Sequence, residues 1–318
     1  MQKKYNNIVI DGHNLFYRSF YTNTVDCLIN DETIYTGGIE LFLHRLQRLR
    51  LDYGYTDTPI YVLLDNPTST LKIRQLIDEE YKSHRLENKY TKEIYRTISY
   101  LKEVLRNYFD NVYVLQINNC EADDLVLPLL KRFNSKDETL LVSADLDWSR
   151  SLSHSVHYFN FKKIYDLDLF NDEYGFVPNG RKINLYKAIR GDTSDNISPS
   201  VPYMPKDLLI YLIDNYYDVD INKFANSILY DDKIPTKWKN DIKANDRDIR
   251  KNYQLVDFIP IDDDIDDYLQ VCKRNKALVR VWFKIIGIDI PAWAEDISKP
   301  DNFLSIETFK KVRKKRRK

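Results

Sequence analysis

NIVIDGHN, residues 7–14, is the stretch whose reading decides the fold. A short apolar, β-branched run ends on an acid and a glycine. Such a run marks a strand buried on both faces, as strands of a parallel sheet are when helices cover both sides. Three further runs read the same way: IYVLL before Asp65, VYVLQI before Glu121 and TLLVSA before Asp145. Between them the spacing predicts two helices. One spans 37–53, with Ile39, Leu43, Leu46 and Leu49 or Leu51 on one side; the other spans 92–109, with Ile94, Ile98, Leu101 and Leu105. Alternating strands and helices imply right-handed crossovers and an α/β fold with a doubly wound, mostly parallel sheet.

Ligands of such sheets collect beyond the carboxyl ends of the strands, and every expected end here carries an acid. They are Asp11, Asp65, Glu121 with Asp123 and Asp124, and Asp145 with Asp147. One acid is explained as a helix cap. Four acidic strand ends are not, because crowded carboxylates repel and raise one another's pKa. Something positive must sit among them. Oxygen donors select hard ions such as Mg²⁺ or Mn²⁺, and no His/Cys cluster competes for zinc. His13, beside so many acids, is not expected to ligate. Asp145 and Asp147 point the same way if the strand continues through them, whereas Glu121, Asp123 and Asp124 open a helix. Two acid groups suit two ions about 3.5–4 Å apart, the arrangement for phosphodiester hydrolysis. AIRGDTSDNISP, residues 188–199, adds Asp192 and Asp195 behind Gly191. Taken alone, that stretch reads as a capped turn.

The 318 residues allow one large or two moderate cores, and 43% hydrophobic with 30% charged residues is a globular composition. No apolar run approaches the roughly 20 residues of a membrane span, and the N-terminus shows no signal-peptide core. Cys27, Cys120 and Cys272 are too few and scattered for a disulfide framework or zinc cluster. A cytoplasmic, monomeric protein without membrane contact is expected. The net charge of zero conceals an asymmetry: KKVRKKRRK, residues 310–318, carries eight basic residues and no acid, leaving the rest eight charges negative. A basic tail on an acidic body suits nucleic acid with divalent cations; a disordered solubilising tail fits the same composition equally well. IDDDIDDYL, residues 261–269, lacks the glycine and spaced glutamate of a calcium loop and reads as a solvated acidic loop. KDLLIYLIDNYY and NKALVRVWFKIIG give the later half a mainly helical pattern. The expected division is a catalytic domain at 1–190, a helical domain at 191–300 and a basic tail at 301–318.

IVIDGHNLFYRSF, VLLDNP followed by EYKSHR, EADD, SADLDW and AIRGDTSDNI, in that order, resemble the 5′-nuclease (flap endonuclease) family. This family includes the 5′ nuclease domain of bacterial DNA polymerase I and the phage enzymes also called ribonuclease H; the phage members are resembled most. The resemblance covers residues 5–200. It implies a PIN-like core and metal-site acids at Asp11, Asp65, Glu121, Asp123, Asp124, Asp145, Asp147, Asp192 and Asp195. Asp65, Glu121, Asp123 and Asp145 would lie nearest a catalytic Mg²⁺ and Asp147, Asp192 and Asp195 near a second, with Mn²⁺ as substitute. With those acids in view, GDTSDNI reads as metal site more than as turn. Lys82 and Arg85 match the family's catalytic basic pair at the foot of a helical arch, placed here at about 82–109. Lys89, Lys92 and Arg96, with Tyr90, Tyr95 and Tyr100, would line that arch against single-stranded nucleic acid, although the same Ile and Leu periodicity also suits core packing. Tyr17 and Arg18 would contact the displaced end. After GDTSDNI the glycines of the family's potassium-binding helix-hairpin-helix are missing; SPSVPYMPK stands there, which leaves potassium binding open and Lys206 as a phosphate contact at a helix start. D-W-S also replaces the family's D-W-D, which removes an acid.

The expectation is a Mg²⁺-dependent, structure-specific 5′ nuclease. It would act as a 5′–3′ exonuclease, flap endonuclease and ribonuclease H on branched or 5′-ended duplex DNA or RNA/DNA during phage DNA replication, with the tail meeting duplex or another replication protein. An aspartyl-nucleophile phosphatase needs a second Asp two residues after Asp11, where His13 stands. A non-catalytic arch-bearing relative would lack acids that are present. A single-strand ribonuclease of the same core would lack the arch and helical domain.

Overall fold

The computed structural model describes residues 3–29, 31–66, 70–83, 90–259, 261, 264–291 and 294, side chains at 70–73 and 91 excepted. Arg85, Lys89, most of the segment between Lys82 and Tyr90, and the basic tail fall outside the described residues. The chain begins β1 (Asn7–Asp11), α1 (Gly12–Thr22), the hairpin β2 (Cys27–Ile29) and β3 (Glu32–Ile34), and α2 (Thr36–Tyr53). It continues through β4 (Ile60–Leu63), α3 (Thr70–Ile77), α4 (Thr91–Tyr108), β5 (Val112–Leu115), α5 (Ala122–Leu130) and β6 (Thr139–Val142). A 3-10 turn (Leu146–Ser151) precedes β7 (Val156–Phe159) and β8 (Ile164–Tyr165). Helices α6 (Leu167–Tyr174), α7 (Gly180–Arg190), α8 (Lys206–Tyr216), α9 (Ile221–Ser227), α10 (Thr236–Ala244) and α11 (Asp246–Val256) follow, then β9 (Leu269–Cys272) and α12 (Lys276–Ile285).

The seven-stranded sheet runs β8-β7-β6-β1-β4-β5-β9. Its five central strands are parallel, and the two edge strands are antiparallel to their neighbours. All four expected strands are there. Alternation along each strand splits its side chains between two cores. Ile8, Ile10, Val62, Val114 and Val142 face Phe16, Phe42, Ile98 and Leu101 of the helices α1, α2 and α4. Val9, Leu63, Leu115 and Leu141 face Leu125, Trp148, Ile189 and Leu212 on the other side. Each such aliphatic side chain, once removed from water, contributes about 1.5–3 kcal/mol. Strand order reverses between β1 and β6, so the crevice for ligands opens at their carboxyl ends.

Packing bears on two expectations about architecture. Within the segment expected as an arch at about 82–109, whose periodicity also suited core packing, α4 buries Ile94, Ile98, Leu101, Val104 and Leu105 against the sheet and pairs with α12. Its tyrosines face inward as well, Tyr90 against Phe20 and Tyr35, Tyr95 against His13 and Tyr100 against Trp282. Nor does the region after residue 190 stand apart. β9 pairs with β5 through Val112↔Cys272 and Leu115↔Leu269, and Phe283 of α12 joins the core under α4. Among the described residues no helix is long and apolar enough to cross a membrane.

Candidate metal centre

Local chain geometry delivers the acids. Asp11 ends β1 and caps α1: its Oδ1 accepts from the Asn14 N–H at 2.9 Å and its Oδ2 from the Ser143 hydroxyl at 2.8 Å. Gly12 is required there, because a Cβ would lie 2.6 Å from Leu64 Cδ2 and 2.9 Å from the Leu63 carbonyl oxygen. Asp65, just beyond β4, accepts from the Ala122 N–H at 2.8 Å, which ties it to the start of α5. β6 ends at Val142, so Asp145 and Asp147 do not converge by strand alternation as expected. The 3-10 turn does it instead, with Asp145 capping that turn and accepting from the Asp147 N–H at 3.0 Å. Asp192 and Asp195 are brought together by a closed loop: Asp192 and Ile197 exchange two backbone hydrogen bonds of 2.8 Å. Gly191 turns into it at φ +79°, where a Cβ would meet the Ile197 carbonyl oxygen at 2.6 Å.

Five of the nine acids form two overlapping groups, Asp123–Asp145–Asp147 and Asp147–Asp192–Asp195. In each, carboxylate oxygens lie within 4.8 Å of one another. Asp11, Asp65 and Glu121 belong to neither group. Glu121 caps α5 and faces Arg74 and Lys82. Asp124 is turned away altogether: it accepts from the Glu121 N–H at 3.1 Å, from Arg74 at 3.3 Å and from the Ile259 N–H at 3.0 Å. Its expected place as an ion ligand gives way to a capping role, since one turn of α5 cannot aim adjacent residues at the same point.

Four buried cations stand among the acids, and three of them were not read from the sequence. Lys187 Nζ lies 2.5 Å from Asp147, 2.6 Å from Asp192 and 3.7 Å from Asp145. Arg150 donates to Asp147 at 2.6 Å, and Arg74 pairs with Glu121 and Asp124. Lys82, which was expected, bridges Glu121 at 2.7 Å and Asp195 at 3.6 Å. Its backbone sits at φ +53°, a costly conformation for a residue with a long side chain and one that clusters at functional sites. A basic residue in the last turn of a helix normally reads as a partner of the helix dipole, which hides Lys187. The usable signal was its spacing four after the buried Ile183, which puts it on the inner side of α7.

Protonation follows the distribution of those cations. Burial, then Asp65, pushes Asp11 up to about 7. Burial also drives Asp145 up to about 6 against the pull of Lys187, and holds Asp123 well above the usual range with help from Asp145 and Asp11. Burial would raise Asp147 and Asp192 too, but Arg150 and Lys187 outweigh it at Asp147, and Lys187 at Asp192, holding both below the ordinary value. Lys187 is itself held up by Asp147, Asp145 and Asp192 in spite of its burial. With every one of the nine acids ionised, the four cations would leave five negative charges in excess, and the raised carboxyls of Asp11, Asp123 and Asp145 are the response to that crowding. Two divalent ions would supply four positive charges, and the all-oxygen donor set suits hard cations. The residues therefore fit a pair of such ions.

A groove of about 1070 Å³ leads from Asp145 and Asp192 past Lys187 to Tyr203 and Met204. Among the described residues, the others expected at nucleic acid make their contacts elsewhere. Tyr17 stacks on Tyr21, Arg18 lies 4.3 Å over the Phe161 ring, Arg96 pairs with Glu32, and Lys92 is exposed on α4. Lys206 at the start of α8 donates to the Glu173 carbonyl at 3.0 Å. His13 Nδ1 accepts the Asp65 backbone N–H at 3.1 Å.

A mostly parallel α/β sheet whose switch point is ringed with carboxylates and buried cations has the PIN-like 5′-nuclease fold. Residues 6–175 match the family described as 5′-3′ exonuclease, N-terminal resolvase-like domain, and the chain belongs to that family. Solved structures of a bacteriophage T5 protein share the fold at 20% sequence identity and a TM-score of 0.57. With metal ions, the match covers 87% of this chain and 98% of that one. A flap endonuclease pseudo-enzyme-product complex with DNA and metal ions gives 91% and 99%. The T5 5′-exonuclease with zinc bound gives 89% and 98%. No curated protein matches the chain by sequence.

Proposed function

We infer that this protein is a divalent-metal-dependent, structure-specific 5′ nuclease that hydrolyses phosphodiester bonds. The observation that carries the reading is the pair of acid groups sharing Asp147 at the switch point of the sheet. Asp123, Asp145 and Asp147 would hold one Mg²⁺ and Asp147, Asp192 and Asp195 the second, with Asp11, Asp65 and Glu121 alongside. Bound ions supply charge neutralisation at the phosphate and a lowered pKa for water. The chain's own groups do the rest. Lys82 and Lys187, buried between carboxylates, present fixed positive charge toward a scissile phosphate. The caps on Asp11 and Asp145 hold these carboxylates in place before substrate arrives. Backbone and shape, not base edges, would set specificity.

The activities that follow are 5′–3′ exonuclease and flap endonuclease, with ribonuclease H action on RNA primers. The setting is DNA replication by a phage in the host cytoplasm, with the enzyme a monomer. The T5 relatives, a flap endonuclease in complex with DNA and metal ions and a 5′-exonuclease with zinc bound, support this reading. The non-catalytic alternative requires lost acids, and all five converging acids are present. The test is cleavage of a 5′-labelled flap duplex beside a blunt duplex and a free single strand, in Mg²⁺ and in EDTA. Cutting near the junction in Mg²⁺ alone is expected; tight binding without cutting in Mg²⁺ or Mn²⁺ selects the non-catalytic reading.

A further inference from the structure

Helix α7 ends at Arg190, and the carbonyls of its last turn lack partners within the helix. They also form the negative end of its dipole, where positive charge is favoured. Here the chain itself occupies them. The Lys187 carbonyl accepts from the Gly191 N–H at 2.8 Å, and the Ile189 carbonyl from the Ser200 and Val201 N–H groups at 3.1 and 3.2 Å. The Ala188 carbonyl faces Asn252, which comes from α11 and is only 3% exposed.

Asn252 Nδ2 lies 3.3 Å from the Ala188 carbonyl oxygen, 2.9 Å from the Ser198 carbonyl oxygen and 2.8 Å from the Ser200 hydroxyl. Carbonyls only accept, so the nitrogen and not the oxygen of the amide must face them. That nitrogen has two hydrogens, and three oxygens surround it. Backbone carbonyls converging on one point are how a chain holds a monovalent cation such as K⁺. Here the point is taken by the amide nitrogen, so these residues do not fit the potassium ion that the family's hairpin binds. Neighbouring features shape the loop without an ion. Pro199, Pro202 and Pro205 each fix a backbone angle. Ile197 packs with Leu255 and Val256, one turn beyond Asn252 on the same helix. The loop forms the far wall of the groove from Asp145 and Asp192, with Pro199, Val201, Pro202 and Tyr203 along it.

We propose that the Asn252 amide stands in for a monovalent cation in the loop between α7 and α8, so that this protein grips duplex without potassium. The proposal rests on the nuclease reading above. Its test is the affinity of the full chain for a fluorescent flap duplex in EDTA, measured as K⁺ replaces tetramethylammonium. Constant ionic strength holds phosphate screening fixed, and wild-type affinity is expected to change by less than about twofold. Asn252→Ala empties the point and leaves three oxygens facing it. In tetramethylammonium its affinity should fall by about tenfold or more, since buried acceptors lose their donor, and K⁺ should restore most of the loss. Its thermal midpoint should rise with K⁺ while that of wild type does not. Wild-type affinity that climbs and saturates with K⁺ overturns the proposal even if the Ala variant does not fold. So does a folded Ala variant that binds as wild type does in tetramethylammonium, or whose loss K⁺ leaves untouched. Flap cleavage in Mg²⁺ separates the two readings: a chain that cuts the flap yet needs K⁺ to bind it overturns only this proposal, and one that neither binds nor cuts overturns both.

Discussion

Asp145 and Asp192 are the same residue type, at the same edge of one sheet, and both are largely buried, yet their carboxyls shift in opposite directions. Asp145 rises to about 6 and Asp192 falls below its usual value. Burial acts alike on both. The largest difference is Lys187, whose ammonium is 2.6 Å from Asp192 and 3.7 Å from Asp145; the Ser194 hydroxyl also donates to Asp192, while Asp147 and Asp195 push Asp145 up. Placement of one ammonium, about an ångström nearer to one acid, together with the neighbouring hydroxyl and carboxylates, sets which buried carboxylate the protein satisfies. The Asp192 side of the site is therefore neutralised by the chain, and the Asp11–Asp123–Asp145 side is not.

The largest expected effect breaks the needier side. Asp145→Asn should lower Mg²⁺-dependent flap cleavage by about 10³-fold, since it removes a carboxylate from the group least supplied with protein cations. Single-turnover cleavage at saturating Mg²⁺ measures this; a rate near wild type would show that the first ion does not use Asp145.

Leu101→Ala asks whether the helix beside the site is scaffold or moving part. With Leu101 wholly buried in α4, the substitution should cost about 2–5 kcal/mol of stability in denaturant unfolding. A cost under about 0.5 kcal/mol, the scale of a surface change, would return 91–108 to the status of a free arch. Lys82→Ala should then lower cleavage by about 10²-fold with little change in Mn²⁺ stoichiometry, because it removes a fixed charge and not a ligand. Counting bound Mn²⁺ beside the rate separates the two.

The same contrast between fixed charge and open acid explains what could be read in the sequence. β1, β4, β5 and β6 were legible because both of their faces are buried and the runs are continuously apolar. β7 and β9 were not, since VHYF and LQVC are short and interrupted by His157 and Gln270. The acids declared themselves by position, each just beyond a strand. Arg74, Arg150 and Lys187 did not, because a basic residue that turns inward is spelled like one that turns to solvent. Only tertiary packing, such as Phe258 reaching Arg150 from the far end of the chain, fixes which it is. Arch and core helix share one Ile/Leu periodicity, so that ambiguity also needed the fold to resolve it.

The smallest effect sharpens the comparison most. An acid whose folded pKa is raised favours folding only while it keeps its proton. That stability is complete below the ordinary value of 3.8 and is lost as pH climbs through the folded value, about 6 for Asp145 and about 7 for Asp11. An acid whose folded pKa is lowered does the reverse: Asp192 contributes above 3.8 and gives that up only as pH falls through its depressed value. In EDTA the thermal midpoint should therefore decline between about pH 4 and 7 by a few degrees beyond any change carried by other groups. Asp145→Asn should flatten that decline, while Asp192→Asn should lower the midpoint without altering its slope across this window. Mg²⁺ should flatten the wild-type profile by supplying the charge that Lys187 gives to one side only. Thermal unfolding across this window, with and without the ion, would sink the account if both variants changed the slope equally, because the site would then titrate as one undivided cluster.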